Sequence, residues 1–342
     1  MKYTSLFIFI MLFLTSCAQK KDEVVVYAPK KESIKEKKVE EKIILKNEPK
    51  VQSAFEAPKP KTIALVYAIK NIGKYSVESH NVIKTYLSAA KNNYIFKVYD
   101  IENESAQNYD TILDQLLEDK IENVIFLITD RYIDSLAENE KINNFKSYFP
   151  IINKDALTNK TNIKNLIFGG ISYKKQFSTI LNQLENKDNI FEIYDDKSIS
   201  IILHEKLGMS INTYYRSIKI NGKNPNYEKV LNRYRDLNQS SVILNTSIVK
   251  SSIILSQLRA NDIIPHEIYS TQINYSPLIF VLSQNEDREG VKIANSIQKL
   301  PKEIDSIYNL IGTDIRYNWV NYSTLIGLEY FFNQSNLIFN NE

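Results

Sequence analysis

The sequence predicts an α/β protein of two lobes, each a parallel sheet flanked by helices, and three observations carry that reading. Lys61-Thr-Ile-Ala-Leu-Val-Tyr67 is continuously apolar and β-branched rather than alternating, as a strand covered on both faces must be. Residues 61 to 130 then complete two strand-helix-strand steps in the order a parallel sheet requires. The same pattern returns between Tyr227 and Ser270, and two such runs make two lobes.

From the amino terminus, Lys2 gives a short basic start and Leu6 to Leu14 an apolar core too short to span a bilayer, so residues 1 to 16 read as a signal peptide. Leu14-Thr15-Ser16-Cys17 resembles the lipobox of bacterial lipoproteins, which implies cleavage before Cys17 and lipid on its thiol. Each buried methylene of such an anchor contributes about 0.8 kcal/mol, so multiple acyl chains hold durably. Ala18, in place of Asp, favours the outer membrane by resemblance to enterobacterial sorting rules. Residues 17 to 60 carry the anchor and a Lys/Glu/Pro tether without glycine, a composition that cannot build a core. Its coil dimension is roughly 35 Å and its stretched length roughly 140 Å.

The domain proper is residues 61 to 342. After the opening strand, a helix over Ser79 to Ala90 presents Val82, Ile83, Tyr86, Leu87 and Ala90 on one face. A strand over Tyr94 to Ile101, a helix over Tyr109 to Lys120 with Ile112, Leu113, Leu116 and Leu117 inward, and a strand over Asn123 to Thr129 follow. The pattern next predicts a short helix within Arg131 to Asn144, strands over Tyr148 to Asn153 and Asn165 to Ser172, and a helix over Gln176 to Asn186. Phe191 to Tyr194 is a strand, Ser198 to Leu207 a helix closed by Gly208, and Ile211 to Ile220 a strand. The second parallel run comprises helix Tyr227 to Asp236, strand Ser241 to Asn245, helix Ser247 to Arg259 and strand Pro265 to Ser270. Leu278 to Leu282 reads as a further strand, and Ile304 to Leu310 and Tyr317 to Phe332 as helices.

Composition bounds the function. With 43% apolar residues in 342, a large core is available, and the single cysteine excludes an intrachain disulfide or cysteine-based metal cluster. Residues 61 to 342 hold 31 basic and 32 acidic side chains, so no global basic field draws nucleic acid. Catalytic constellations are missing. His80, His204 and His266 stand apart, and His204-Glu205-Lys206-Leu207-Gly208 lacks the second histidine of a zinc-protease helix. Gly169-Gly170 is followed by neither a Walker Lys nor a dinucleotide fingerprint, which leaves tight packing as its role. Asp195-Asp196 reads as a solvated turn, and no serine elbow appears. No cofactor and no metal site are expected.

The order of elements resembles the type I periplasmic-binding-protein fold of the leucine/isoleucine/valine-binding proteins. The likeness rests on Pro225 to Ile273, where Leu231 and Leu237 lead into Ser241-Val-Ile-Leu-Asn-Thr246, Ile254-Leu-Ser-Gln-Leu-Arg259 and Ile268-Tyr-Ser270. Thr62 to Tyr67 with its Ile72-Gly-Lys-Tyr75 loop looks similar too, whereas the Tyr-Ser-Gly ligand loop of the amino-acid binders is absent. A second resemblance is to lipoproteins that activate penicillin-binding proteins, the LpoA-like group, through Phe168-Gly-Gly-Ile-Ser172 and Gly312-Thr-Asp314 to Gly327-Leu328.

Ligands of parallel sheets bind beyond the carboxyl ends of the strands. That rule selects Ser76, Ser79, Thr129, Asp130, Ser172, Tyr173, Asn245, Thr246, Tyr269 and Ser270 as ligand-binding candidates, with Asp130 as the acid for a ligand ammonium. The expectation is a periplasmic, lipid-anchored, non-catalytic binding or regulatory module, with an envelope protein such as a peptidoglycan synthase as partner. The alternative is a receptor for amino acids or a related small polar solute, serving a transporter or sensor.

Overall fold

The computed structural model describes residues 60–89, 93–158, 165–222 and 225–332. The signal peptide, Cys17 and the tether to residue 59 lie outside the described residues. In the first lobe, β1 (Lys61–Tyr67), β2 (Tyr94–Asp100), β3 (Asn123–Leu127), β4 (Lys146–Phe149) and β5 (Leu166–Phe168) form one parallel sheet ordered β2-β1-β3-β4-β5. Helices α1 (Ile69–Ile72), α2 (Tyr75–Ala89), α3 (Ala106–Glu118) and α4 (Ile133–Glu138) connect these strands. In the second, β6 (Ile190–Asp195), β7 (Arg216–Ile220), β8 (Ser241–Asn245), β9 (Glu267–Ser270) and β10 (Val291–Ile293) are ordered β10-β9-β8-β6-β7 and are again parallel. Counted from its own first strand, each lobe therefore has the order second, first, third, fourth, fifth.

Helices α5 (Tyr173–Gln183), α6 (Ser198–Ser210), α7 (Tyr227–Leu231), α8 (Ile248–Ala260), α9 (Leu278–Leu282) and α10 (Asn285–Arg288) belong to the second lobe. The chain then returns to the first lobe through α11 (Lys302–Leu310) and α12 (Trp319–Phe332). Two apolar layers cover each sheet. Ala64, Val66, Val124 and Phe126 face α3 and α4, while Ile63, Leu65, Ile125 and Leu127 face α2, α11 and α12. In the second lobe Phe191, Ile193, Val242 and Leu244 face α8, and Ile190, Ile243 and Tyr269 face α5 and α6. This double burial is why the strands read as continuous apolar runs; each Val, Ile or Leu so buried contributes about 1.5–3 kcal/mol.

The last helix is seated by close approach. A Cβ on Gly327 would lie 2.6 Å from Cδ1 of Tyr148, and one on Gly169 would strike the Tyr148 hydroxyl and Ser323 Oγ. Gly170 is the least forgiving, since its Cβ would strike backbone atoms of Ile152 and Asn153 rather than side chains. The double glycine is a packing device, as its sequence context suggests.

Several elements differ from the sequence expectation. Leu278 to Leu282 is helix α9, not a strand, because Pro277 has helical backbone angles and α9 packs on α8. The fourth strand starts at Lys146 and stops before Pro150, which cannot donate to a sheet. The strand expected from Ile211 begins only at Arg216. Gly208 does not end α6, which runs on through Ser210 and closes at an extended Ile211. Tyr227 to Asp236 breaks into α7 and a 3-10 turn, Arg235–Leu237. Leu117, expected inward, is exposed, and β10 carries no clear signal in its three residues.

Candidate functional site

A 2-1-3-4-5 sheet places a crevice where strand order reverses, outside the carboxyl ends of its first and third strands. In the first lobe that point lies between the residues after β1 and those after β3, where Thr129 and Asp130 stand. In the second it lies between the ends of β6 and β8, where Asp195, Asn245 and Thr246 stand.

Most of the candidate hydroxyls and amides there are engaged within the protein. Ser76 donates to the Gly73 carbonyl at 2.8 Å, and Ser79 pairs with Thr324 Oγ1 of α12 at 3.1 Å. Both sit in α2, buried beneath the first lobe's surface. The Thr129 amide donates to Glu104 Oε1 at 2.7 Å and its hydroxyl to Oε2, so Glu104 clamps the loop after β3. Asn245 donates to Glu192 Oε1 at 2.7 Å, and Thr246 pairs with Ser251 Oγ at 2.7 Å. Ser270 donates to the Leu244 carbonyl at 2.6 Å and accepts from Asn274 Nδ2 at 2.7 Å. Tyr269 points away from the crevice; its hydroxyl donates to the carbonyl of Gln183, at the far end of α5.

Three candidates differ. Ser172 caps α5, accepting from the Lys175 amide at 3.4 Å, and Tyr173 beside it is half-buried, with burial pushing its phenol up to about 12. Asp130 is exposed, and among the described residues its carboxylate has no hydrogen-bond or ion-pair partner. The structure thus brings Thr129 with Asp130, and Asn245 with Thr246, to the two reversal points, and it leaves Ser76, Ser79 and Tyr269 off the crevice.

Sequence reasoning missed the charged interior of the second lobe. Asp195 is not a solvated turn residue: it is fully buried at the end of β6, its carboxylate 3.2 Å from Lys250 Nζ, with exposed Asp196 at 3.3 Å from the same ammonium. Burial opposes the Lys250 charge, but the two carboxylates outweigh it and hold that lysine above its ordinary range, while Lys250 holds Asp196 below its own. The only available signal was placement, an acid closing one buried strand and a lysine in the helix after another. Glu192 is also fully buried, mid-strand, and receives His204 Nδ1 at 2.6 Å, Ser217 Oγ at 3.0 Å and Asn245 Nδ2 at 2.7 Å. The His204 ring stacks on Tyr194 with centroids 4.0 Å apart, which makes it a satisfied structural histidine. No group of three or more acidic, histidine or cysteine side chains gathers in metal-binding geometry among the described residues.

Following β9, α9 leaves Leu278, Phe280, Val281 and Leu282 exposed, Phe280 by 62% and Val281 by 78%. Val249 and Ile253 of the neighbouring α8 are exposed as well.

No protein-family model matches the chain, and no curated protein does. Solved structures do. The substrate-binding protein LivJ of a branched-chain amino acid transporter from Streptococcus pneumoniae, in complex with isoleucine, superposes with TM-score 0.51 at 11% identity, over 81% of this chain and 84% of that one. The C-domain of LpoA from Haemophilus influenzae, a regulator of PBP1A, gives 0.54 at 12% identity over 81% and 86%. LpoA of the same organism in another crystal form gives 0.56 at 13% identity over 83% of this chain but only 52% of its own, so the chain spans about half of that protein. At such identities these likenesses speak to architecture, and together with the two parallel sheets they show that the chain has the type I periplasmic-binding-protein-like fold.

Proposed function

We propose that this chain is a lipid-anchored periplasmic module that binds or regulates an envelope protein and catalyses no reaction itself. The observation that carries the reading is the inward engagement of the crevice hydroxyls and amides: Thr129, Thr246 and Ser270 already hold protein partners, and Asn245 spends its amide nitrogen on Glu192, leaving its side-chain oxygen alone unpaired. A solute would have to break those bonds, and a buried polar group left unpaired costs about 1–3 kcal/mol. The fold likeness to the LpoA C-domain, a regulator of PBP1A, supports a penicillin-binding protein as the partner class. The motif ending at Cys17 supports the anchor, and Ala18 the outer membrane.

One observation favours the alternative, a receptor for an amino acid or similar solute. Among the described residues Asp130 has no partner at its reversal point, as an acid awaiting an ammonium would be, and LivJ holds isoleucine on this fold.

The test mixes the lipidated mature chain with a purified peptidoglycan synthase of the PBP1A type from the same cells and follows glycan polymerisation. A rate change at stoichiometric amounts, kept in Asp130→Ala, is the expected result. No binding and no rate change contradict the proposal.

A further inference from the structure

Glu329 occupies the last turn of α12 with 8% of its surface exposed, and neither carboxyl oxygen closes a hydrogen bond. No cation lies within ion-pair distance of it among the described residues. The titratable groups facing it are tyrosines: Tyr86 of α2, whose buried hydroxyl is turned toward the carboxyl, and Tyr308 of α11, whose hydroxyl donates to the Val82 carbonyl at 3.1 Å. Tyr94 of β2 stands beside Tyr86. From β1, the Lys61 ammonium sits 5.4 Å over the Phe332 ring rather than on the carboxyl. From β4, Tyr148 spends its hydroxyl on Ser323 at 3.0 Å, Lys146 is exposed, and β3 carries no titratable side chain.

An ionised carboxylate in that setting would be charged, dry and faced by the Tyr86 hydroxyl alone, with no cation beside it among the described residues, a state that costs several kcal/mol. We propose that Glu329 makes the seat of α12 on α2 a pH-sensitive latch, closed while its carboxyl carries a proton and loosened once it ionises. Burial pushes the carboxyl up from the ordinary 4.5, and the facing Tyr86 hydroxyl only partly offsets this. The folded state then holds the proton more tightly than the unfolded one. The latch is fully closed below the unfolded value, and its stabilisation is lost as pH rises through the folded value. Hydrating the charged group requires the last turn to lift, which takes Phe332 off Tyr86 and Tyr94, whose rings it now meets at 6.1 Å and 4.8 Å.

Amide hydrogen exchange of residues 325–332 in the full mature chain tests this, with α3 as the reference for global opening. Corrected for intrinsic rates, protection of the last turn should fall as pH rises above the ordinary carboxyl value of 4.5, by up to about tenfold per pH unit until the raised folded value is passed, while α3 stays constant. In Glu329→Gln, the neutral isostere, that fall should vanish. Wild-type protection independent of pH, or an equal fall in Glu329→Gln, overturns the latch. Should the variant not fold, the wild-type series decides alone, because constant last-turn protection across the range is incompatible with the proposal.

Discussion

Gly170 states the logic of this chain at the scale of one residue. Its missing side chain lets the backbone after β5 close on Ile152 and Asn153, and its amide donates to the Ile152 carbonyl at 2.9 Å. Gly170→Ala would push a Cβ into backbone that has no rotamer to yield, so we expect a loss of about 1–3 kcal/mol, or roughly 2–4 °C per kcal/mol in thermal melting. Glu267 gives a pH-dependent case. Burial works to raise its carboxyl, but the Ser241 hydroxyl at 2.6 Å and the Glu185 amide at 2.8 Å outweigh it and hold it below 4.5. Its contribution is present above the unfolded value and lost as pH falls through the lower folded one. Glu267→Gln should therefore be less stable than wild type at neutral pH and converge with it in acid, by denaturant titration. Such residues were hardly legible beforehand. Asp195 and Glu192 look like ordinary charges in the sequence, and their burial depends on Lys250 and His204, partners supplied by other elements.

At the scale of elements, legibility followed burial. β1, β3 and β8, covered on both faces, read correctly because their apolar runs have one explanation, whereas Leu278–Leu282 has the same apolar character for a different reason. Five apolar residues cannot distinguish a buried strand from a surface helix by periodicity, and α9 is the latter. Its exposed Phe280 packs chiefly beneath the Arg288 guanidinium, 5.1 Å from the ring centroid. Phe280→Ser should leave stability within about 0.5 kcal/mol of wild type, since surface substitutions of this kind seldom exceed that. A larger loss in a thermal melt would mean that α9 is part of the core. α12 is the opposite case: Leu325 and Leu328 are fully buried against the first lobe's sheet. Leu328→Ala should cost about 2–5 kcal/mol, measured the same way, as cavity-forming changes in a closed core do.

For the whole molecule, the two-lobed plan was readable because each lobe repeats strand-helix-strand units whose handedness and burial admit few alternatives. The crevice was less so. The rule that ligands sit beyond strand carboxyl ends selected Thr129, Asp130, Asn245 and Thr246, which stand at the two reversal points, together with Ser76, Ser79 and Tyr269, which do not, and it says nothing of whether the hydroxyls there are free. Here Thr129 meets Glu104 and Asn245 meets Glu192, contacts separated by 25 and 53 residues respectively, which no local pattern could announce. On the proposed reading the crevice takes no small polar solute, because most of its hydroxyls and amides are already bonded within the protein. Isothermal titration of the mature chain with branched-chain and other amino acids tests it directly. No saturable heat is expected with any of them. Saturable binding that Asp130→Ala abolishes would contradict it and make the chain a solute receptor.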